Sequence, residues 1–171
     1  MITIFVGPRG AGKTLLMSKR IFRRYLQGYK VLTNYGVKFP HETINAEALV
    51  KMNADLRDCA MGVDEIHVLI DSRNSMDKRN KMISYFILQT RKRNVVLFGT
   101  TQHESQIDVR LRRSVDYWVK CKRIRKNRKK TLWFEYKVID GLTGRVVRKF
   151  KLFGPKWFHL FDTEETITDF A

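Results

Sequence analysis

Near the start of the chain the apolar run "MITIFV" leads into "GPRGAGKT", residues 7–14. The spacing is G-x-x-x-x-G-K-T, and it dictates a local structure. A loop that wraps its backbone N–H groups around a triphosphate has no room for side chains at its tight positions, so glycine stands there. Lys13 has the reach for the β- and γ-phosphates, and the Thr14 hydroxyl suits Mg²⁺. The flanks agree. The β-branched and aromatic residues ahead of the loop read as a buried strand. After it, Leu15, Leu16, Ile21, Phe22, Tyr25 and Leu26 recur at helical spacing, with Gly28 as a stop. Strand, loop and helix in this order aim a helix N-terminus at an anion. Gly7, Pro8, Arg9, Gly10, Ala11, Gly12, Lys13 and Thr14 are the candidate nucleotide-binding set, with ATP and Mg²⁺ as the expected cofactors.

Composition narrows what the nucleotide serves. At 171 residues the chain is expected to be one domain with a real core. It carries 34 Lys+Arg against 17 Asp+Glu, a net charge of +17. Such a charge repels itself in isolation, so a polyanionic partner is the natural reading, with a solvated basic surface as the plain alternative. Cys59 and Cys121 fall in expected strands without metal or pairing spacing, which fits a reduced, intracellular setting. The first apolar run is only a strand long and ends in the glycine loop, so no signal peptide is read. No apolar stretch approaches the roughly 20 residues that cross a bilayer, and no stable membrane insertion is expected.

Further along, "KVLTNY" (30–35) reads as a second strand and "YGVKFPHET" as a loop. "NAEALVKMNADL" looks helical, with Asn45 as a cap. "CAMGVDEIHVLI" (59–70) reads as a buried strand carrying acidic residues. "SMDKRNKMISYFILQTRKR" (75–93) reads as a helix with Met82, Ile83, Phe86 and Ile87 on its apolar face. "NVVLFGTTQ" (94–102) is another buried strand, and "QIDVRLRRSVD" a short turn or helix. Strands alternating with helices predict a parallel α/β sheet. Beyond about residue 117 the pattern changes: "WVKCKRIRK", "KTLWFEYKVID" and "RVVRKFKLF" read as an antiparallel meander. The expected organisation is a core over 1–123 and a β-hairpin-rich extension over 124–171 of the same domain.

A phosphate cradle serves kinases, GTPases and motors alike, so a second acidic site decides. Asp64 and Glu65 follow a hydrophobic run, where an Asp helps hold Mg²⁺. A Glu directly after it can polarise the attacking water. The pair points to nucleotide hydrolysis. His67 and His103 have no companion His or Cys at ligand spacing and read as polar loop or surface residues. Gln102, at the end of the strand beside the phosphate site, is placed to sense the γ-phosphate, or simply to start a loop.

The order glycine loop, Asp-Glu, then Arg91-x₁₀-Gln102 followed by Ile107-Asp108 resembles the FtsK/HerA-type DNA-translocating ATPases. It looks most like small viral genome-packaging ATPases and the Zot-like assembly ATPases of filamentous phages, whose second strand and loop "KVLTNYGVKFP" also resembles. The likeness covers residues 1 to about 123. It implies a P-loop NTPase of the additional-strand, catalytic-glutamate type, with Lys13 and Thr14 on phosphate and metal, Asp64 supporting the metal and Glu65 catalytic. It places Gln102 at the fourth strand's end and Arg91 as a trans-acting finger, with Arg93 close enough to compete. Such a finger implies a homo-oligomeric ring, usually a hexamer.

Lys78, Arg79 and Lys81, and the denser "KCKRIRKNRKK" (120–130) flanked by Trp118 and Trp133, then suit DNA bound through its phosphates without regard to sequence. A solvated hairpin tip, or a contact to an acidic capsid protein, is the other reading of 120–130. The Trp and Phe residues at 133, 134, 157 and 158 read as core or subunit contacts. The expectation is an ATP-driven motor that moves viral DNA into a preformed capsid, working in the host cytoplasm and at the packaging vertex of the virion. A Zot-like morphogenesis ATPase is the first alternative. A nucleotide or small-molecule kinase is the second, and it has no use for a charge of +17.

Overall fold

The computed structural model describes residues 1–44, 56–69 and 90–162, together with Ser84, Ile87 and Leu88. Strand β1 (Ile2–Val6) lies between two parallel neighbours, β5 (Val96–Thr101) and β6 (Tyr117–Lys126). Its apolar run is nearly continuous because both faces are covered. Ile2 and Ile4 point into one core with Leu32, Met61, Val63 and Leu97. Phe5 points to the other face, packing with Leu16, Ile21, Phe98 and Val119. Each such buried side chain contributes about 1.5–3 kcal/mol relative to exposure.

β2 (Lys30–Thr33), a two-residue β3 (Glu42–Thr43) and β4 (Cys59–Val63) complete the parallel part of the sheet. The full order is β3-β2-β4-β5-β1-β6-β7-β8. β5 is therefore an additional strand inserted between the glycine-loop strand β1 and the acidic strand β4. Helix α1 (Lys13–Leu26) packs across β1, β2, β4 and β5 and sinks Leu15, Leu16, Met17 and Ile21 into the second core. Gly62 permits the close approach, since a Cβ there would stand 2.2 Å from Ile21 Cδ1.

β6 continues into β7 (Lys129–Asp140) and β8 (Val146–Phe153) as an antiparallel meander on the same sheet. The β6–β7 turn is Asn127-Arg128, with φ of 50° and 61°. Two successive positive φ values match the right-handed twist of the strands they join. Residue 123 lies inside β6, so no break in the sheet separates the core from the extension. Cys59 and Cys121 are buried free thiols, and burial pushes each up to about 12, so both stay protonated.

The expected strand over 59–70 stops at Val63. Glu65 takes φ 50°, which breaks the extended run, and Ile66–Leu69 form a short helix, α2, with Ile66 fully buried. Of the expected helix over 75–93, the described residues Ser84, Ile87 and Leu88 are helical and Thr90–Arg93 form a 3₁₀ turn, after which left-handed Asn94 turns the chain; the rest lies outside the described residues. The helix expected at 45–56 lies almost wholly outside the described residues, as do Lys78, Arg79, Lys81, Met82, Ile83 and Phe86. A last short helix, α3 (Val109–Ser114), is capped by Asp108, which accepts from the Arg110 amide.

Candidate active site

Because β1, β4 and β5 are parallel, their C-terminal ends open on one edge of the sheet, where ligands of α/β proteins bind. The loop 7–14 follows β1, Asp64 and Glu65 follow β4, and Gln102 follows β5. The N-terminus of α1 carries no side-chain cap and no acidic residue in its first turn, which leaves its N–H groups facing the loop. Gly12, at φ 84°, turns the loop into the helix, and a Cβ there would collide with Phe134 and with the Tyr136 hydroxyl.

Lys13 is buried and folds back over the loop, donating to the Gly7 carbonyl at 2.9 Å and the Pro8 carbonyl at 3.2 Å. The Thr14 hydroxyl donates to the Asp64 carboxylate at 3.2 Å. Asp64 also accepts from the Thr100 hydroxyl, whose oxygen in turn accepts the Glu65 amide at 2.8 Å. Asn34, buried at the end of β2, pairs with the Asp64 backbone both ways. Its Nδ2 donates to the carbonyl at 2.9 Å, and its Oδ1 accepts the amide at 2.7 Å.

The donor set passes a chemical test for Mg²⁺: a hydroxyl and a carboxylate are hard oxygen ligands, and the fold brings them together. Left-handed non-glycine residues cluster at functional sites, and Glu65 is one. Its Oε2 lies 3.2 Å from His67 Nδ1, yet neither atom completes a hydrogen bond within the described protein. His67 is thus half-buried beside Glu65 rather than a surface residue. His103 is exposed, as expected.

The sheet brings Lys13, Thr14, Asp64 and Glu65 into one site. Gln102 is half-buried directly after β5, and its side chain makes no hydrogen bond among the described residues. Arg91 does not join them. It precedes β5 at the opposite end of the sheet, mostly exposed, and pairs with Asp116, whose other oxygen accepts the Ile2 amide at 2.7 Å.

Sequence reasoning did not find four neighbours of the site. Asn34 and Thr100 fix Asp64, and a polar residue closing an apolar strand is the signal that marks both. Phe134 and Tyr136 come from β7. The Tyr136 hydroxyl donates to the Gly12 carbonyl at 2.9 Å, and burial pushes this phenol far above its ordinary range, so it stays a donor. On the outer shoulder of the loop, Arg9 and Gly10 face Lys122, Arg123, Arg125 and Lys130 across a cleft.

Residues 3–122 match the AAA family, described as the ATPase family associated with various cellular activities. The chain belongs to that family. This AAA ATPase has the fold of the N-terminal domain of zonular occludens toxin from Neisseria meningitidis, with a TM-score of 0.68 and 20% identity over 94% of this chain and 98% of that one. The genome packaging NTPase B204 of Sulfolobus turreted icosahedral virus 2, solved with ATP-gammaS, gives a TM-score of 0.64 and 12% identity over 89% and 97%. The ATPase domain of G40P gives 0.61 and 11% over 96% and 84%. At these identities the likeness is one of fold. No curated protein sequence matches the AAA ATPase. No helix among its described residues is long and apolar enough to cross a membrane.

Proposed function

We propose that this AAA ATPase is the subunit of a homo-oligomeric ring motor of FtsK/HerA type that drives viral DNA into a preformed capsid. The observation that carries the reading is the Tyr136–Gly12 hydrogen bond, because it ties the strand behind the basic hairpin to the nucleotide loop. Backbone N–H groups between Arg9 and Thr14, with the Lys13 side chain, hold the triphosphate of ATP, and Thr14 and Asp64 would hold Mg²⁺. Bound there, Mg²⁺ would supply neutralisation of the charge that develops on the phosphates. Glu65 accepts a proton from the attacking water, Gln102 senses the γ-phosphate, and Arg91, or Arg93 beside it, completes a neighbour's site. Residues 1–123 and 124–171 act as one domain.

Arg125, Lys126, Arg128 and Lys129 at the hairpin tip grip phosphates without reading sequence, as a motor on any DNA requires. B204 is itself described as a genome packaging NTPase. The work belongs to the host cytoplasm and the packaging vertex, where an acidic capsid protein is a further partner. A second reading, virion assembly at a membrane, is favoured by the likeness to the zonular occludens toxin domain. ATP turnover measured with long duplex DNA and with nucleosides tests the proposal. Stimulation by DNA alone is expected; stimulation by a nucleoside alone assigns a kinase instead.

A further inference from the structure

At the end of the sheet away from the nucleotide loop, a groove opens between α1 and the strands β1, β6 and β7. Its floor is apolar, formed by the core residues Phe5, Phe98 and Val119 together with Val138. Its rim is made of Arg20, Arg23 and Arg24 from α1 and Arg148 from β8. Among the described residues no carboxylate pairs with any of the four. Their partners are neutral: Arg24 donates to Gln27 at 3.0 Å and lies over the Tyr29 ring, and Arg148 lies over the Phe150 ring. Burial, and then the charges of Arg23, Arg148 and Arg24, lower the basicity of Arg20, so each cation here sits against others of its own sign. Cations held this close without a counter-charge are stabilised by an arriving anion, and the floor asks for apolar groups between the anions.

The chain itself carries a segment of that chemistry. "FDTEETITDFA", residues 161–171, contains no Lys or Arg, in a protein with 34 of them. Glu164, Glu165 and Asp169 alternate there with Ile167 and Phe170. The root of the segment lies on the β2 side of α1, whereas the groove opens on its β6 side: Phe161 bridges to Val37 and Asp162 pairs with Lys38, both just after β2, and the next ring, Phe39, packs on Phe22 and Tyr25. β4 and β5 separate β2 from β1 in the sheet, and α1 covers that stretch.

We infer that the arginine-rimmed groove receives the acidic segment 163–170 of a neighbouring copy, with Ile167 and Phe170 on the floor and the carboxylates on the rim. Duplex DNA suits the site less well, since a phosphate backbone offers nothing to an apolar floor. The inference concerns how copies join and stands independently of the cargo.

Charge reversal in the full chain tests it, with self-association followed by sedimentation velocity. The tail variant is Glu164→Lys with Glu165→Lys, and the groove variant is Arg23→Glu with Arg148→Glu. Each variant alone is expected to weaken self-association by roughly tenfold or more, as like charges meet. Mixing the two restores association, because the reversed tail of one copy meets the reversed groove of the other. Matching thermal melts show that the variants fold, and Arg24→Glu with Arg148→Glu serves if they do not. Unchanged association in the tail variant overturns the inference. So does a groove variant that loses duplex DNA affinity while mixing rescues nothing, which hands the groove to DNA.

Discussion

Tyr136 donates its hydroxyl proton to the Gly12 carbonyl across 2.9 Å, although the two residues stand 124 positions apart. Tyr136 is fully buried and packs beside Phe150, and Gly12 closes the loop at φ 84°. β7 is thereby a support for the loop, and its far end is the basic hairpin. Tyr136→Phe keeps the ring and deletes this bond, worth about 0.5–1.5 kcal/mol. The expected result is a slightly lower melting temperature and near-normal basal ATP turnover, with DNA stimulation largely lost. Equal stimulation in the variant and the parent separates the hairpin from the loop.

Glu65→Gln is expected to retain ATP affinity and lose about 10²–10⁴ of turnover, the usual worth of general-base help. Lys13→Ala shows the opposite pattern, losing affinity for the triphosphate itself in calorimetry. Wild-type turnover by Glu65→Gln removes Glu65 from the chemistry.

Asn34→Ala strips both partners from the Asp64 backbone. An unpaired buried polar group costs about 1–3 kcal/mol, so thermal unfolding of the nucleotide-free protein should drop visibly. Turnover should fall as well, because Asp64 loses its register with Thr14. An unchanged melt means that water replaces the amide.

The glycine loop was legible because binding a triphosphate dictates local residue types at fixed spacing. β1, β5 and the meander were legible for a similar reason, since apolar runs bounded by turn residues need no distant partner to be recognised. Contacts between distant residues were not. Nothing in "WFEYKV" says that its tyrosine reaches Gly12, because register between strands carries no local signature. The end of β4 was misread because "EIHVLI" continues the apolar pattern while Glu65 turns the chain without a glycine. Arg91 was found by its distance from Gln102, but its pairing with Asp116 depends on the bend that leads into β6, 25 residues later.

That pairing leaves Arg91 exposed on the face away from its own loop, as a residue serving a neighbour requires. Arg91→Ala is expected to keep nucleotide binding and to lose roughly 10³–10⁵ in turnover. Mixing Arg91→Ala with Glu65→Gln subunits pairs an intact Glu65 with an intact Arg91 at some interfaces, so activity partly returns. If mixing restores nothing, and Arg93→Ala fails the same trial, no trans finger operates here.

Movement along DNA is the central claim, and displacement of a third strand from a duplex measures it most directly. A triplex-forming oligonucleotide is placed downstream on long duplex DNA, and its release is timed after ATP is added. The account predicts release that requires ATP, lengthens in delay with distance from the DNA end, and disappears with Glu65→Gln. ATP hydrolysis at full rate with the triplex left intact would contradict it.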